Sequence, residues 1–317
     1  MAIINVSPST NITALIASAA VSEGDVLLLA DGVYNQTVVI SKNYIRIVAA
    51  GNRAIFDGTN TLVAAFILAG VTGVEINGLI IRRYIVFGIA IIGGSANRIL
   101  CNSISQIELF GIFVAGSSAN LIWRNKIRNV DDGVLLIAAS TSNWVIENTV
   151  KDSNFDGFES FLSVDANNAF ISNFACDCGD NCFEIRGANN LVYRNTAVNA
   201  TFADFLIASG NNIVAIENKG SNAQDGAVVT SNNAFLGRND LHDNSQSGLE
   251  ISGDFNIIQS NLITFNKDSG ILLNSTANDN FIFFNRVECN TPADITNRGI
   301  DNNLLQNITG CRHKFGL

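Results

Sequence analysis

Asp132, Asp156, Asp180, Asp204 and Asp225 follow one another at intervals of 21 to 24 residues, and Glu159 and Glu184 stand shortly after two of them. Arg186 and Phe161 each lie two residues beyond a glutamate. If the intervals correspond to stacked chain segments, adjacent carboxylates sit about 5 Å apart and alternate ones about 10 Å, a range that brackets the separations used in retaining and inverting glycoside hydrolysis. Crowding raises the proton affinity of such groups and can create a general acid. On this reading Asp156, Asp180, Glu159 and Glu184 are the candidate catalytic residues. Arg186, Phe161, Asp132, Asp204 and Asp225 are the candidate substrate-binding residues. A second reading stays open: Asp-Gly is a common turn, and a stack of turn aspartates needs no chemistry.

The elements that would position these groups come from a repeat. The chain has 317 residues and 43 asparagines, and the asparagines are periodic. From Gly88 onward a frame of Gly, an apolar strand, a polar turn and Asn-x-apolar-x-x-Asn-x-apolar restarts at Gly111, Gly133, Gly157, Cys182, Phe205, Gly226, Gly248 and Gly270, in steps of 21 to 25 residues. Paired asparagines keep time with it, from Asn97/Asn102 and Asn120/Asn125 through Asn212/Asn218 and Asn233/Asn239 to Asn303/Asn307. A step near 23 residues with short β-branched and aromatic runs between Ser, Asn and Gly predicts an all-β solenoid, a parallel β-helix of about a dozen coils with three short strands per coil. Asn suits its turns through tolerance of left-handed backbone and amide-to-amide ladders. Thr10 or Asn11 is expected to cap a short helix whose Ile12, Leu15, Ile16 and Ala19 share a face and plug the N-terminal end. One domain is expected over 1–317, with a cap over 1–23, coils over 24–293, and the last coil and C-terminal cap over 294–317.

These features resemble the right-handed parallel β-helices of the pectate-lyase-like superfamily, in particular bacterial repeats of carbohydrate-binding and sugar-hydrolase type. Gly24-Asp25-Val26-Leu27-Leu28-Leu29-Ala30-Asp31-Gly32-Val33-Tyr34 is similar to that group's first strand and turn, and Ile55-Phe56-Asp57-Gly58 to the turn closing the next coil. More narrowly, Asn154-Phe155-Asp156-Gly157 and Gly179-Asp180-Asn181-Cys182 resemble two polygalacturonase stretches. That resemblance implies Asp180 as general acid and Asp156 as a group activating water. The chain departs from the pattern at Asn181, where a second Asp is expected, and it lacks the following Gly-His-Gly and Arg-Ile-Lys stretches.

Strand alternation places Ala90, Ile92, Phe113, Ala115, Leu135 and Ile137 on the outer face of the first coils, with Phe87 and Phe110 beside them. Such an apolar strip needs cover, and Ile92, Phe113, Leu135 and Ile137 are the expected subunit interface of a homo-oligomer, a trimer being one arrangement open. Trp123 and Tyr193 are expected outward on the second sheet. Cys289 and Cys311 each lie four residues after their coil's second Asn and are the disulfide candidates. Cys176, Cys178 and Cys182 lack a common zinc spacing and a nearby His, so no metal is expected, with calcium left open for the acidic groups.

Composition narrows the partners. The chain is 47% hydrophobic and 15% charged, with 19 basic against 28 acidic residues and a net charge of −9. Clustered cations for a phosphate backbone are absent, which argues against nucleic acid. No apolar run spans a membrane, and no signal peptide is evident, so cellular location stays open between the cell exterior and a cell or spore surface. Two functions remain: a carbohydrate-directed β-helix that binds or processes a polysaccharide or oligosaccharide, or a non-catalytic structural or assembly protein of a bacterial surface or spore layer. Whether the chain is an enzyme is undecided at this point.

Overall fold

The structure is a computed structural model and describes residues 1–311. The end of the expected C-terminal cap, 312–317, lies outside the described residues. The chain winds into three parallel sheets of 14, 12 and 13 strands that run the length of a solenoid of about 13 turns. Each coil contributes one strand to each sheet; a central coil, for example, consists of Phe110–Ala115, Leu121–Trp123 and Lys126–Val130. The only helix among the described residues is Ile12–Ala17, capped by Asn11, whose side chain accepts from the Ala14 N–H. Ile12 and Ile16 are buried and Leu15 packs against the core, whereas Ala19 is exposed beyond the helix. A strand that the sequence reading missed, Ile3–Val6, precedes the helix and pairs with Val26–Leu29.

Asparagine serves the turns in both expected ways, but at different positions: Asn129, Asn167, Asn189 and Asn199 take left-handed backbone, while other asparagines build the ladder. Asn102, Asn125, Asn148, Asn173, Asn195, Asn218, Asn239, Asn261, Asn285 and Asn307 form one unbroken ladder, in which each backbone N–H donates to the Oδ1 of the next at 2.8–3.0 Å. The Nδ2 of each donates to the same oxygen or to a carbonyl of the preceding coil, as Asn148 does to Asn173 and to Ile122. The left-handed backbone is adopted by the residue before each ladder Asn, among them Cys101, Arg124, Glu147, Arg194 and Glu217. The ladder position therefore selects for a buried amide that satisfies backbone groups of two coils.

The same geometry corrects the phase of the first Asn column. Asn212 and Asn233 are the left-handed, exposed residues; the ladder positions are Ile213 and Ala234, so the column is interrupted over two coils. It resumes at Asn256, Asn280 and Asn302, with Asn302 in place of the expected Asn303.

The strand frame needs a like correction. Phe183 pairs with Phe205, and Phe205 with Ala227, so the frame position on that coil is Asp204 and not Phe205. Elsewhere the column is Gly because a Cβ would strike the next coil: at Gly111 it would lie 2.6 Å from both the Gly133 oxygen and Ile127 Cγ2. Cys182 and Asp204 fit there because the facing inward row shrinks to Ala175, Ala197 and Gly220. At the far end, Cys289 and Cys311 are joined by a disulfide with Cα atoms 4.4 Å apart.

Candidate active site

The outer face of the 12-stranded sheet carries three rows, set by the paired register of Phe87–Ile92, Phe110–Ala115, Asp132–Ile137, Phe158–Ser160, Phe183–Ile185 and their successors. One row reads Phe87, Phe110, Asp132, Asp156, Asn181, Ala203, Asp225. The next reads Ala90, Phe113, Leu135, Glu159, Glu184, Leu206, Val228, Glu250. The third reads Ile92, Ala115, Ile137, Phe161, Arg186. The expected column of five aspartates is thus three, with Asn181 and Ala203 between them.

Midway along this face two acidic triads interlock. Carboxylate oxygens of Asp132, Asp156 and Glu159 lie within 4.8 Å of one another, as do those of Asp156, Asp180 and Glu184. Asp156 belongs to both. Its Oδ1 accepts the Asn181 N–H at 2.9 Å, while its own N–H donates to Asp132 Oδ1 at 3.1 Å. Arg186 forms an ion pair with Glu184 and lies over the Phe161 ring at 5.4 Å. Asn181 is buried, and its side-chain oxygen has no hydrogen-bond partner among the described residues.

Burial and mutual repulsion hold protons on this cluster. Asp132 is pushed up to about 6, mainly by burial. Burial, followed by the charge of Glu184, pushes Asp156 up to about 8. Glu159 goes up to about 9 through burial and the charges of Asp156, Glu184 and Asp132, with Arg186 opposing. Two partly protonated acids beside a carboxylate paired with Arg186 form the asymmetry that acid–base chemistry requires.

The structure brings seven of the nine predicted residues together: Asp132, Asp156, Glu159, Phe161, Asp180, Glu184 and Arg186. It removes the other two. Asp204 occupies the frame position and points inward; it is fully buried, its Oδ2 is 3.1 Å from where a Gly220 Cβ would be, and burial raises its proton affinity. It cannot touch a ligand on the outer face. Asp225 lies in the outer row but beyond Ala203, where its Oδ1 accepts the Ser247 N–H at 2.8 Å and its charged neighbours are Glu250 and Asp268. Asp180 is exposed at the rim, one position off the column, although it still completes the second triad.

Sequence reasoning missed the site's wall. The coil from Gly157 to Cys182 is long, and its surplus residues put Leu162 and Val164 beside Phe161 as an exposed apolar lip. Asp165 pins this lip by accepting the Leu162 and Ser140 N–H groups at 2.6 and 2.9 Å. The 25-residue step was the available signal. A groove of about 600 Å³ follows the neighbouring turn and is lined by Gln106, Glu108, Asn129, Asp152, Asn154 and Asp177. It adjoins the cluster through Asn154, and none of the cluster carboxylates lines it.

The donor set fits calcium, which takes carboxylate and amide oxygens, since the triads offer oxygen alone and the Asn181 oxygen is free. The cysteine cluster does not converge on one point: Cys178 and Cys182 face each other inside the core with sulfurs 3.2 Å apart, while Cys176 lies in the row paired with Lys151 and Val198 on the outer side of its strand. The expected apolar interface strip is mostly closed from within. Ala90 and Leu135 are buried, Phe87, Phe110 and Phe113 cover one another at 4.9–5.7 Å, and Ile137 is half-buried, leaving Ile92 as its exposed member.

Known proteins place this arrangement in context. The family model described as right handed beta helix region matches residues 63–219, the stretch that carries both triads. Among solved structures, the mannuronan C-5 epimerase AlgE6 A-module of Azotobacter vinelandii is similar at 17% identity and a TM-score of 0.64, covering 96% of this chain and 91% of its own. DFA-IIIase from Arthrobacter chlorophenolicus is similar at 13% identity and a TM-score of 0.67, over 86% of this chain and 87% of its own. The catalytic domain of a GH87 alpha-1,3-glucanase, solved with tetrasaccharides, is similar at 14% identity and a TM-score of 0.68, over 98% of this chain and 68% of its own. Comparison with curated protein sequences gives no significant match. Three continuous parallel sheets, the family match over the central coils and these neighbours show that the chain has the fold of a right-handed parallel β-helix.

Proposed function

We propose that the protein processes a polysaccharide or oligosaccharide laid across the outer face of its 12-stranded sheet, with Glu159 as the proton donor and Glu184 as the opposing carboxylate. The observation that carries this reading is the pair of triads sharing Asp156, with carboxylate oxygens within 4.8 Å. Glu159 and Glu184, one from each triad, are register partners on adjacent strands, and both stand beside Asp156. The proton-donating role moves from Asp180 to Glu159 because burial keeps the Glu159 carboxyl protonated through neutrality, whereas Asp180 sits at the exposed rim. Arg186 holds Glu184, and Phe161 offers a face on which a sugar ring can stack. The similar solved structures are named for mannuronan C-5 epimerisation, DFA-III and an α-1,3-glucan, which supports a sugar substrate.

Calcium, if bound by Asp132, Asp156, Glu159, Asp180 and Glu184, would supply charge neutralisation for an acidic sugar, which this negative face otherwise repels. A glycan panel assayed for binding and for released reducing or unsaturated ends, with wild type, Glu159→Gln and Glu184→Gln, with and without calcium, tests the reading. Activity lost in both variants supports it. No binding and no product on any glycan refutes it.

One observation favours a non-catalytic role. Asp132 and Asp156 accept backbone N–H groups of the next coil in the same way as the ladder asparagines, which is what a turn-stabilising aspartate does. Under that reading the solenoid is an assembly rod, Asp156→Asn leaves function intact, and the glycan panel stays silent.

A further inference from the structure

We infer that the outer face of the 14-stranded sheet is a self-association surface that takes a second copy of this chain. It lies on a different sheet from the carboxylates and does not rest on their function. Between the Leu121–Trp123 and Phe281–Phe283 strands, the paired register puts two rows outward. The first is Leu121, Trp144, Ala169, Leu191, Val214, Phe235, Ile257 and Phe281. The second is Trp123, Ile146, Ile171, Tyr193, Ile216, Gly237, Gln259 and Phe283. None of these positions is charged and Gln259 alone is polar. The 13-stranded sheet, built from the same coils, presents Lys126, Arg128, Lys151, Lys219, Asp240 and His242 in the equivalent places, so the apolar face is a property of one sheet and not of the repeat.

Size and rim indicate the occupant. Eight strands from Leu121–Trp123 to Phe281–Phe283 at the stacking distance give a face about 35 Å long, and two outward rows with their side chains make it about 15 Å wide. That is about 500 Å², at the upper end of what monomers ordinarily leave exposed and about two-thirds of the roughly 800 Å² per partner of a standard protein–protein contact. Trp144, Ile257, Phe281 and Leu305 are 51%, 39%, 48% and 55% exposed. Along one edge runs a charged rim in which Arg124 lies over Trp123 at 4.4 Å and Arg194 over Tyr193 at 4.8 Å, with Arg124–Glu147, Arg194–Glu217 and Arg238–Glu217 ion pairs beyond. An apolar, aromatic-rich centre with an Arg-bearing polar rim is the anatomy of a protein interface. A flat sheet face meets another such face at about 10 Å, and two identical faces related by a two-fold axis satisfy each other.

Both tryptophans of the chain lie on this face, so it carries its own probe. Sedimentation velocity and light scattering at micromolar protein are expected to give at least twice the monomer mass, and dilution is expected to lower the mass while raising iodide quenching of tryptophan fluorescence. Trp144→Glu with Phe235→Glu, both at outward positions, is expected to give a monomer with an unchanged far-ultraviolet circular dichroism spectrum. Phe113→Glu, on the other sheet, is expected to leave the mass unaltered. A monomeric wild type with freely quenched tryptophans, or a folded double variant of unchanged mass, overturns the inference. So does a wild-type monomer whose tryptophans are shielded from iodide only by added glycan, which would make the face a sugar platform. The wild-type dilution series decides the matter even if the double variant fails to fold.

Discussion

Glu159→Gln separates the energetic claim about the carboxylate cluster from any assumption about substrate. The substitution keeps size and shape and removes the ability to ionise. In the folded protein Glu159 is pushed from 4.5 to about 9 by burial and by Asp156, Glu184 and Asp132, so it stays protonated where the unfolded chain has released its proton. A group whose folded pKa is raised stabilises fully below the unfolded value, and that contribution is lost as pH rises towards the folded value. Each pH unit in that window is worth about 1.4 kcal/mol, so by pH 7 the wild type has lost about 3 kcal/mol that a glutamine does not lose. The variant is therefore expected to match wild type near pH 4.5, to gain steadily above it, and to level off near pH 9. Urea unfolding of both proteins across that range, read by circular dichroism, measures the difference directly. A stability difference that is flat with pH, or a variant less stable than wild type at pH 8, would refute the proposition that burial holds a proton on Glu159. The same variant is expected to lose turnover at every pH if Glu159 is the donor, so stability and activity should move in opposite directions.

Asn148→Ala should be costly, since it leaves the buried Asn125 N–H and the Ile122 carbonyl without partners; at about 1–3 kcal/mol for each orphaned group, a loss of about 3–5 kcal/mol in urea unfolding is expected, and a loss under 1 kcal/mol would deny the ladder its role. Asp204→Asn removes an ionisable group whose proton affinity burial has raised, and its melting temperature should rise relative to wild type more at pH 8 than at pH 4; equal shifts at both would place Asp204 in contact with water. Cys289→Ser with Cys311→Ser opens a link across 22 residues, which is expected to cost about 3 kcal/mol, seen as earlier amide exchange in the last coils; unchanged exchange there would count against the bond.

The repeat and its consequences were legible in the residues because a solenoid's contacts are periodic in sequence. Gly at the frame, Asn at the turns and apolar residues between them specify coil, stacking and a common outer face without knowledge of any distant contact. The acidic residues were visible for the same reason: Glu159 and Glu184 fall on outward positions that alternation predicts, and Asp132 and Asp156 recur one residue before the frame. Cys289 and Cys311 could be matched because equal offsets in neighbouring coils are neighbours in space.

Phase was a different matter. Where Asn211-Asn212, Asn232-Asn233 or Asn302-Asn303 stand adjacent, sequence cannot say whether either takes the ladder position, and a shift of one residue turns every side chain to the opposite face. A one-residue slip of the strand frame, at Phe205 in place of Asp204, likewise put Asp204 among the outer-face candidates although it is buried.

By itself, then, the sequence determined that this chain is a β-helix with carboxylates repeated along it, because composition and period are local properties. Only the tertiary structure decided which of those carboxylates meet, that Asp156 joins two triads while Asp204 is sealed behind Gly220, and that two rows of apolar side chains line the outer face of another sheet. Backbone pairing between coils sets the register, and register determines whether a side chain meets water, the core or another acid.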